Sequence, residues 1–461
     1  MENNYICELE QIVNPENVIT SFEERLTYSY DSTRLEYMPD VVVRVKNAEQ
    51  ISQIMKLANE YKIPVTPRGA ATGLSGGCLA VEGGILLVMV DMNRIIDINP
   101  VDLLITVEAG VITEKVSKAV EHLNLFYPPD PGSMKSSTIG GNIAENAGGL
   151  RGLKYGVTKD YVNSIEAVLP TGEIVTMGAN TVKAVTGYNL ADLMCGSEGT
   201  LSIITRATLG LLPIPPDRVS ILAFFKDMTD AAKTVRDIVA GGVITATLEI
   251  VDNVTINAIE DFLKIGLDRT VGAMLLIEVD GQKGAIEAEA DIVIRTCKSN
   301  SVLSVRQAKS VQERDKLWEA RRAALSSLSR IRPSTILEDA TVPRSRMVEL
   351  VNAINEIAKK YQMMIGTFGH AGDGNLHPTI LTDLRIAEEA KKTEKAIEEI
   401  FKATIALGGT LSGEHGIGIT KAQYLKLEIS KPVYNLMKNI KSVFDPNNIL
   451  NPGKMKCTWD I

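Results

Sequence analysis

The sequence predicts a mixed α/β or α+β protein of about two or three domains. Three observations carry that prediction. Short apolar strands alternate with helical segments through residues 41–123. Residues 128–200 then shift to glycine, serine, asparagine and proline. Beyond Pro213, Pro215 and Pro216 the alternation resumes with longer helices. With 461 residues, 45% apolar and 23% charged, the chain can bury a large core and has an ordinary globular composition.

The elements follow from local pattern. Residues 41–45 (Val-Val-Val-Arg-Val) read as a strand, and Asn47 with Gln50 forms a capping-box pattern that opens a helix through Tyr61. A short strand at 63–66 runs into a glycine-rich loop, and strands follow near 85–90 and 103–108. Thr113 is expected to cap a helix reaching Leu123. The stretch 128–200 is too long for plain linker and reads as structured, functional loops. The prolines at 213–216 mark a domain boundary. Past it, strands are expected at 219–225, 243–250 and 272–279. Helices are expected at 229–240, 252–264, 282–297, 308–330, 345–361 and 384–407. The last of these alternates Glu and Lys at helical spacing, a solvated face with i,i+4 pairs. No internal repeat is evident.

Bulk chemistry removes several functions. A formal net charge of −8 without a basic run disfavours nucleic acid as partner. Cys7, Cys78, Cys195, Cys297 and Cys457 lie far apart with no C-x-x-C pair. That disfavours an iron–sulfur cluster or a cysteine zinc site and suggests free thiols in a reducing compartment. There is no signal-peptide pattern, and no run approaches the ~18 apolar residues of a transmembrane segment. The expectation is a cytoplasmic protein.

Three loops carry the first functional signal. The first contains Pro67, Arg68, Gly69, Ala71, Thr72, Gly73, Leu74, Ser75, Gly76 and Gly77, directly after a strand. Its glycines would let successive N–H groups turn towards one anion, such as a pyrophosphate. It is neither G-x-G-x-x-G nor G-x-x-x-x-G-K-[ST], which disfavours a nicotinamide Rossmann fingerprint and a nucleotide P-loop. The second contains Pro131, Gly132, Ser133, Ser136, Thr138, Ile139, Gly140, Gly141, Asn142, Asn146, Ala147 and Gly149. The third contains Glu198, Gly199 and Thr200, with Ile203 just beyond. Three such loops in order could wrap an extended dinucleotide.

The histidines carry the second signal. Three of the four, His370, His377 and His415, lie in glycine-broken turns, with Glu414 beside the last. They read either as a metal site with a catalytic base beside it or as tight turns with hydrogen-bonded histidines.

The loops at 67–77, 138–149 and 196–201, together with the C-terminal run 444–454 (Phe-Asp-Pro-Asn-Asn-Ile-Leu-Asn-Pro-Gly-Lys), resemble the vanillyl-alcohol oxidase / p-cresol methylhydroxylase superfamily of FAD proteins. The resemblance spans nearly the whole chain and is nearest the glycolate oxidase large-subunit and FAD-linked D-lactate dehydrogenase branch. It implies an α+β fold: a two-subdomain FAD-binding domain (1–215), an α/β cap domain with a mainly antiparallel sheet (216–410), and a C-terminal segment (411–461) completing the active site. It implies that the three loops cradle FAD and that Asn448 lies near the flavin. Members with covalent FAD use a histidine in the first loop; here Ala70 and Ala71 stand there, so FAD is expected to be non-covalent. Ser202 departs from the family's usual glycine.

The same branch carries G-H-x-G-D-G-N-x-H and G-E-H-G. By that resemblance His370, His377 and Glu414 hold one divalent metal, and His415 is the base. Zn, Mn and Fe all fit two imidazoles and a carboxylate. Asp373 and Asn375 are expected to shape the turn. The arginine three residues after Trp318 is Arg321, the implied anchor for a substrate carboxylate, and a bidentate guanidinium pair suits that task. Leu325 and Leu337 stand where relatives that take diacids carry polar residues, which points to a small 2-hydroxy acid, D-lactate first and glycolate as the alternative. Lys183, Tyr188 and His122 are expected to be structural. With no cysteine cluster and no nicotinamide fingerprint, electrons must leave the chain, and the resemblance implies a separate partner subunit: an electron-transferring flavoprotein, an iron–sulfur protein or a quinone system. A metal-dependent hydrolase would leave the three loops without a task, and a non-catalytic flavin subunit would leave the histidines without one.

Overall fold

A computed structural model of the chain describes residues 4–458, and these form two compact units. The first comprises the chain up to Gly148, Val157–Ile214 and the segment from Glu414 onward. The second comprises Gly149–Gly156 and Pro215–Gly413.

The first unit is built on two main sheets. In one, the strands Val41–Arg44, Ile85–Val88 and Val65–Arg68 run parallel, with Val18–Ile19 antiparallel at the edge. Parallel strands bury both faces. Val41, Val43, Ile85 and Leu87 pack against the helix Ala48–Tyr61, while Val42, Leu86 and Val88 enter a smaller cluster opposite. Asn47 caps that helix by accepting from Gln50 N at 2.9 Å. Gln50 reaches back to Lys46 N rather than to Asn47 N, so the expected box closes one residue early.

The other main sheet is antiparallel, in the order Ile95–Asn99, Leu104–Glu108, Ile203–Gly210, Val162–Val168, Ile174–Gly178. The glycine-rich stretch therefore contains a full hairpin as well as the helix Ile139–Glu145. Thr113 is not a cap. It is the first residue of the helix Thr113–Val120, and its hydroxyl donates to Ser137 O at 3.0 Å and receives Asn142 Nδ2 at 2.7 Å. The hydroxyl is spent on steadying the second loop.

The second unit carries one antiparallel sheet in the order Ser304–Gln307, Asp217–Phe225, Ala273–Gly281, Thr247–Asp252, Met364–His370, Asn375–Thr382, Ser334–Leu337, with Ala340–Thr341 also paired to Asn375–Thr382. Side chains alternate between its faces. Ile221, Leu248, Ile250, Leu275 and Ile277 join one cluster with the helices Met228–Ala240, Lys283–Ser299, Met347–Tyr361 and Ala387–Ala406. Leu222, Val251, Leu276, Phe368 and Leu381 join the other with Asn253–Leu263, Val311–Arg322 and Ala324–Leu328. The last two helices replace the single one expected at 308–330; the chain breaks at Ala323. Among the described residues no helix is long and apolar enough to cross a membrane.

Candidate active site

In the second unit, register decides which polar residues meet. Glu249 pairs directly with His370 across two antiparallel strands, and Phe368 pairs with His377 across the next two. By alternation all four lie on the face that Val251 and Leu381 make apolar. Glu249 Oε1 lies 2.8 Å from His370 Nδ1, and Glu249 Oε2 lies 2.5 Å from Arg321 Nη2. Arg321 projects from the helix over this face, is 5% exposed, and stacks its guanidinium 4.8 Å from the Phe368 ring centroid. His370 and His377 meet edge to face with centroids 5.2 Å apart. Each offers a ring nitrogen, the two within 4.8 Å. Burial alone would raise the Glu249 carboxyl, but Arg321 and His370 beside it hold it below the usual value.

A second buried carboxylate, Asp339, lies 4.0 Å from His377 Nδ1. Its Oδ2 accepts Ser412 Oγ at 2.7 Å and Gly413 N at 2.8 Å, which fixes the chain one residue before Glu414. The hairpin turn between His370 and Asn375 needs its glycine at 374: φ is 87° there and a Cβ would run into Val342 O. Asp373 lies against Gly152, and Asn375 is buried near Gly413. Leu325 and Leu337 pack on the apolar cluster that holds Trp318 and Phe368.

The first unit assembles the three glycine loops. Gly69 lies so close to Thr138 Oγ1 that a Cβ there could not fit, so the first two loops touch. Ser75 Oγ donates to Glu145 Oε1 at 2.8 Å. Glu198 turns its buried carboxylate to Ile417 N at 2.7 Å and Gly418 N at 2.6 Å, and Ile419 N donates to Ser75 O at 2.9 Å. Gly418, at φ 46°, leaves no room for a Cβ beside Ser75 O. The segment immediately after His415 is thus docked on the first and third loops. Asn451 clamps the same two loops, its Nδ2 donating to Gly77 O at 2.9 Å and Glu198 O at 2.8 Å. Lys454 Nζ donates to Leu79 O at 2.7 Å, and burial pulls its ammonium down to about 8.

Residues 39–178 match the family described as FAD binding domain, and residues 214–455 match FAD linked oxidases, C-terminal domain. The glycolate oxidase subunit GlcD of Bacillus subtilis (strain 168) is 50% identical over 449 residues, covering 97% of this chain and 96% of that one. A D-lactate dehydrogenase of Anaerostipes hadrus is 35% identical over 460 residues, covering 96% and 95%. The chain belongs to the FAD-linked oxidases. Its fold is that of p-cresol methylhydroxylase, whose substrate-bound structure aligns with a TM-score of 0.81 at 18% identity over 98% of this chain and 96% of that one.

The loops of this FAD-linked oxidoreductase fit an extended dinucleotide. Ala71, Thr72, Gly73, Leu74, Gly132, Ser133, Ser136 and Gly141 are all at least partly exposed, whereas Ser75, Thr138 and Asn142 beneath them are buried and bonded internally. Glu145 adds an acceptor no sequence pattern flagged. Part of the residue stays accessible, but its Oε2 is buried without a hydrogen-bond partner. Burial, with Glu198 adding to it, raises the Glu145 carboxyl well above the ordinary range. Arg68 faces away from such a lane, donating to Tyr30 O at 2.8 Å and lying 3.6 Å from Cys78 Sγ. Burial pushes the Cys78 thiol up to about 12, so it is no nucleophile at neutral pH. Ile203 is core, Asn448 is exposed, and Gly149 falls in the second unit. From the C-terminal run, Asn451 bonds the first and third loops and Lys454 bonds the chain just beyond the first. Glu249, Asp339, Glu145 and Asn451 are the residues that sequence reasoning missed; Glu145 and Asn451 lay inside recognised runs, Glu249 and Asp339 outside them.

Proposed function

We propose that this chain oxidises a small 2-hydroxy acid, D-lactate ahead of glycolate, and passes the electrons to a partner protein. The observation that carries the proposal is the strand face on which Glu249 joins His370 to Arg321. A 2-hydroxy acid has a hydroxyl and a carboxylate one carbon apart, and this face offers a metal-ligand type and a carboxylate anchor side by side. Arg321 keeps a donor for an anion: its buried Nε makes no hydrogen bond, while Nη2 is held by Glu249.

The first unit's loops would hold FAD non-covalently, and it would supply the two-electron acceptor for oxidation at C2. His370, His377 and Glu414 would hold a divalent cation, which would supply a Lewis acid to make the substrate hydroxyl a better acid. His415 takes the hydroxyl proton, and the product is the 2-oxo acid. Support for its placement is the docking of Ile417, Gly418 and Ile419 on Ser75 and Glu198. Support for Glu414 is the tether from Asp339 to Gly413. Leu325 and Leu337 add apolar surface, which suits a substrate with one carboxylate. Glycolate is the second reading because the Bacillus relative bears that name, and its designation as a subunit supports a partner protein, for which we propose an electron-transferring flavoprotein or an iron–sulfur protein.

The test is anaerobic addition of D-lactate, L-lactate or glycolate to FAD- and metal-loaded protein. Bleaching near ~450 nm, fastest with D-lactate, is expected. A flavin that stays oxidised with all three would sink the proposal.

A further inference from the structure

We propose that Glu249 is a positioning residue that sets the spacing between the metal ligand His370 and the carboxylate anchor Arg321. The inference rests on the metal and substrate assignment above and goes beyond it.

Glu249 is 0% exposed on a strand face that it shares with the apolar Val251, Leu276 and Phe368 and with His370 and His377. A buried carboxylate in such a place adds little stability over a well-packed hydrophobe, because desolvation offsets most of the attraction. Its two oxygens are divided between two tasks. Oε1 meets His370 Nδ1 at 2.8 Å, so the ring proton sits on Nδ1 and Nε2 keeps the lone pair for a cation. Oε2 meets Arg321 Nη2 at 2.5 Å, and the Phe368 ring supports the guanidinium from a second direction. The strand ladder fixes Glu249 against His370, since the two are direct register partners. One rigid carboxylate thus determines how far a cation on His370 stands from an anion on Arg321. Those two points must match the hydroxyl and carboxylate of one small substrate.

The alternative is a buried ion pair that only stabilises the sheet. Four readouts on FAD-loaded, metal-stripped protein separate the two: flavin content, melting temperature, affinity for added Zn²⁺ or Co²⁺, and the split between KM and kcat at saturating metal. Glu249→Gln keeps the shape and removes the charge. It is expected to weaken metal binding by about 10- to 100-fold. It should also raise KM for the 2-hydroxy acid, with flavin content unchanged. Arg321→Lys is expected to raise KM while leaving metal affinity intact. Glu249→Asp retains the charge on a shorter arm and should recover metal affinity in part without restoring KM. Should Glu249→Gln fail to fold, the double variant Glu249→Gln, Arg321→Gln leaves no uncompensated buried charge and carries the metal measurement. Wild-type metal affinity and KM in Glu249→Gln, with metal affinity lost in His370→Gln, overturn the role of Glu249 alone. Undiminished metal affinity in His370→Gln overturns the ligand assignment and this inference with it.

Discussion

The two units hold their functional groups in opposite ways. In the first unit the glycine loops are held largely through the backbone: Asn451 and Lys454 take carbonyls, and Glu198 takes amides. In the second unit the site is held side chain to side chain, with buried charges meeting on a strand face. A backbone cradle tolerates many side chains provided glycine stands where the chain turns or approaches closely. A charge network tolerates almost none, because removing one member leaves another buried and unpaired. The difference teaches that one chain can hold one set of groups robustly and another in a brittle way.

The largest expected effect falls on chemistry rather than on either scaffold. His415→Ala should lower kcat by about 100- to 10,000-fold, the range for loss of a general base. FAD content should be unchanged; turnover assays beside flavin absorbance check both, and near-normal turnover would remove His415 as base.

Brittleness of the second unit comes next. Arg321→Met leaves Glu249 buried without its ion-pair partner and should destabilise that unit by about 3–5 kcal/mol in chemical denaturation. A loss below 1 kcal/mol would show that the network is not the brittle element.

The backbone clamp should cost less. Asn451→Ala removes the donor to Gly77 O and Glu198 O, with an expected loss of about 1–3 kcal/mol and faster FAD release. Equal losses for Arg321→Met and Asn451→Ala would erase the contrast between the units.

The smallest effect is a pH dependence. Glu145 has a folded-state pKa above its unfolded one, so the native state holds an extra proton between the two values. Below the unfolded value both states are protonated and nothing is lost. As pH rises towards the folded value, stability falls. Glu145→Gln imitates the protonated form and should flatten that fall, read as melting temperature against pH. An unchanged profile would assign the titration elsewhere.

Legibility follows the same division. The loops stood out because backbone-built cradles need glycine and small hydroxyl residues in runs, and Gly69 and Gly418 have no room for a Cβ. His370 and His377 stood out because histidine is scarce and glycine surrounds it. Glu249 did not, because one glutamate in Leu-Glu-Ile-Val-Asp looks like any strand residue until its partner strand is known. Local pattern makes Thr113 look like a helix cap because it cannot see Ser137 and Asn142 arriving from another segment. The hairpin Val162–Val168 and Ile174–Gly178 hid inside a composition that reads as loop.

The sequence by itself determined the mixed fold and the FAD-linked family, and it nominated the groups proposed to bind a cation, accept a proton and hold a carboxylate. These are local properties, written in residue type and spacing over a few positions. Only the tertiary structure decided that Glu249 stands opposite His370 and under Arg321, that Asp339 secures Gly413, and that Asn451 rather than Asn448 reaches the loops. Strand register, set by burial of whole faces, brings together residues more than a hundred positions apart, and no local pattern encodes that meeting.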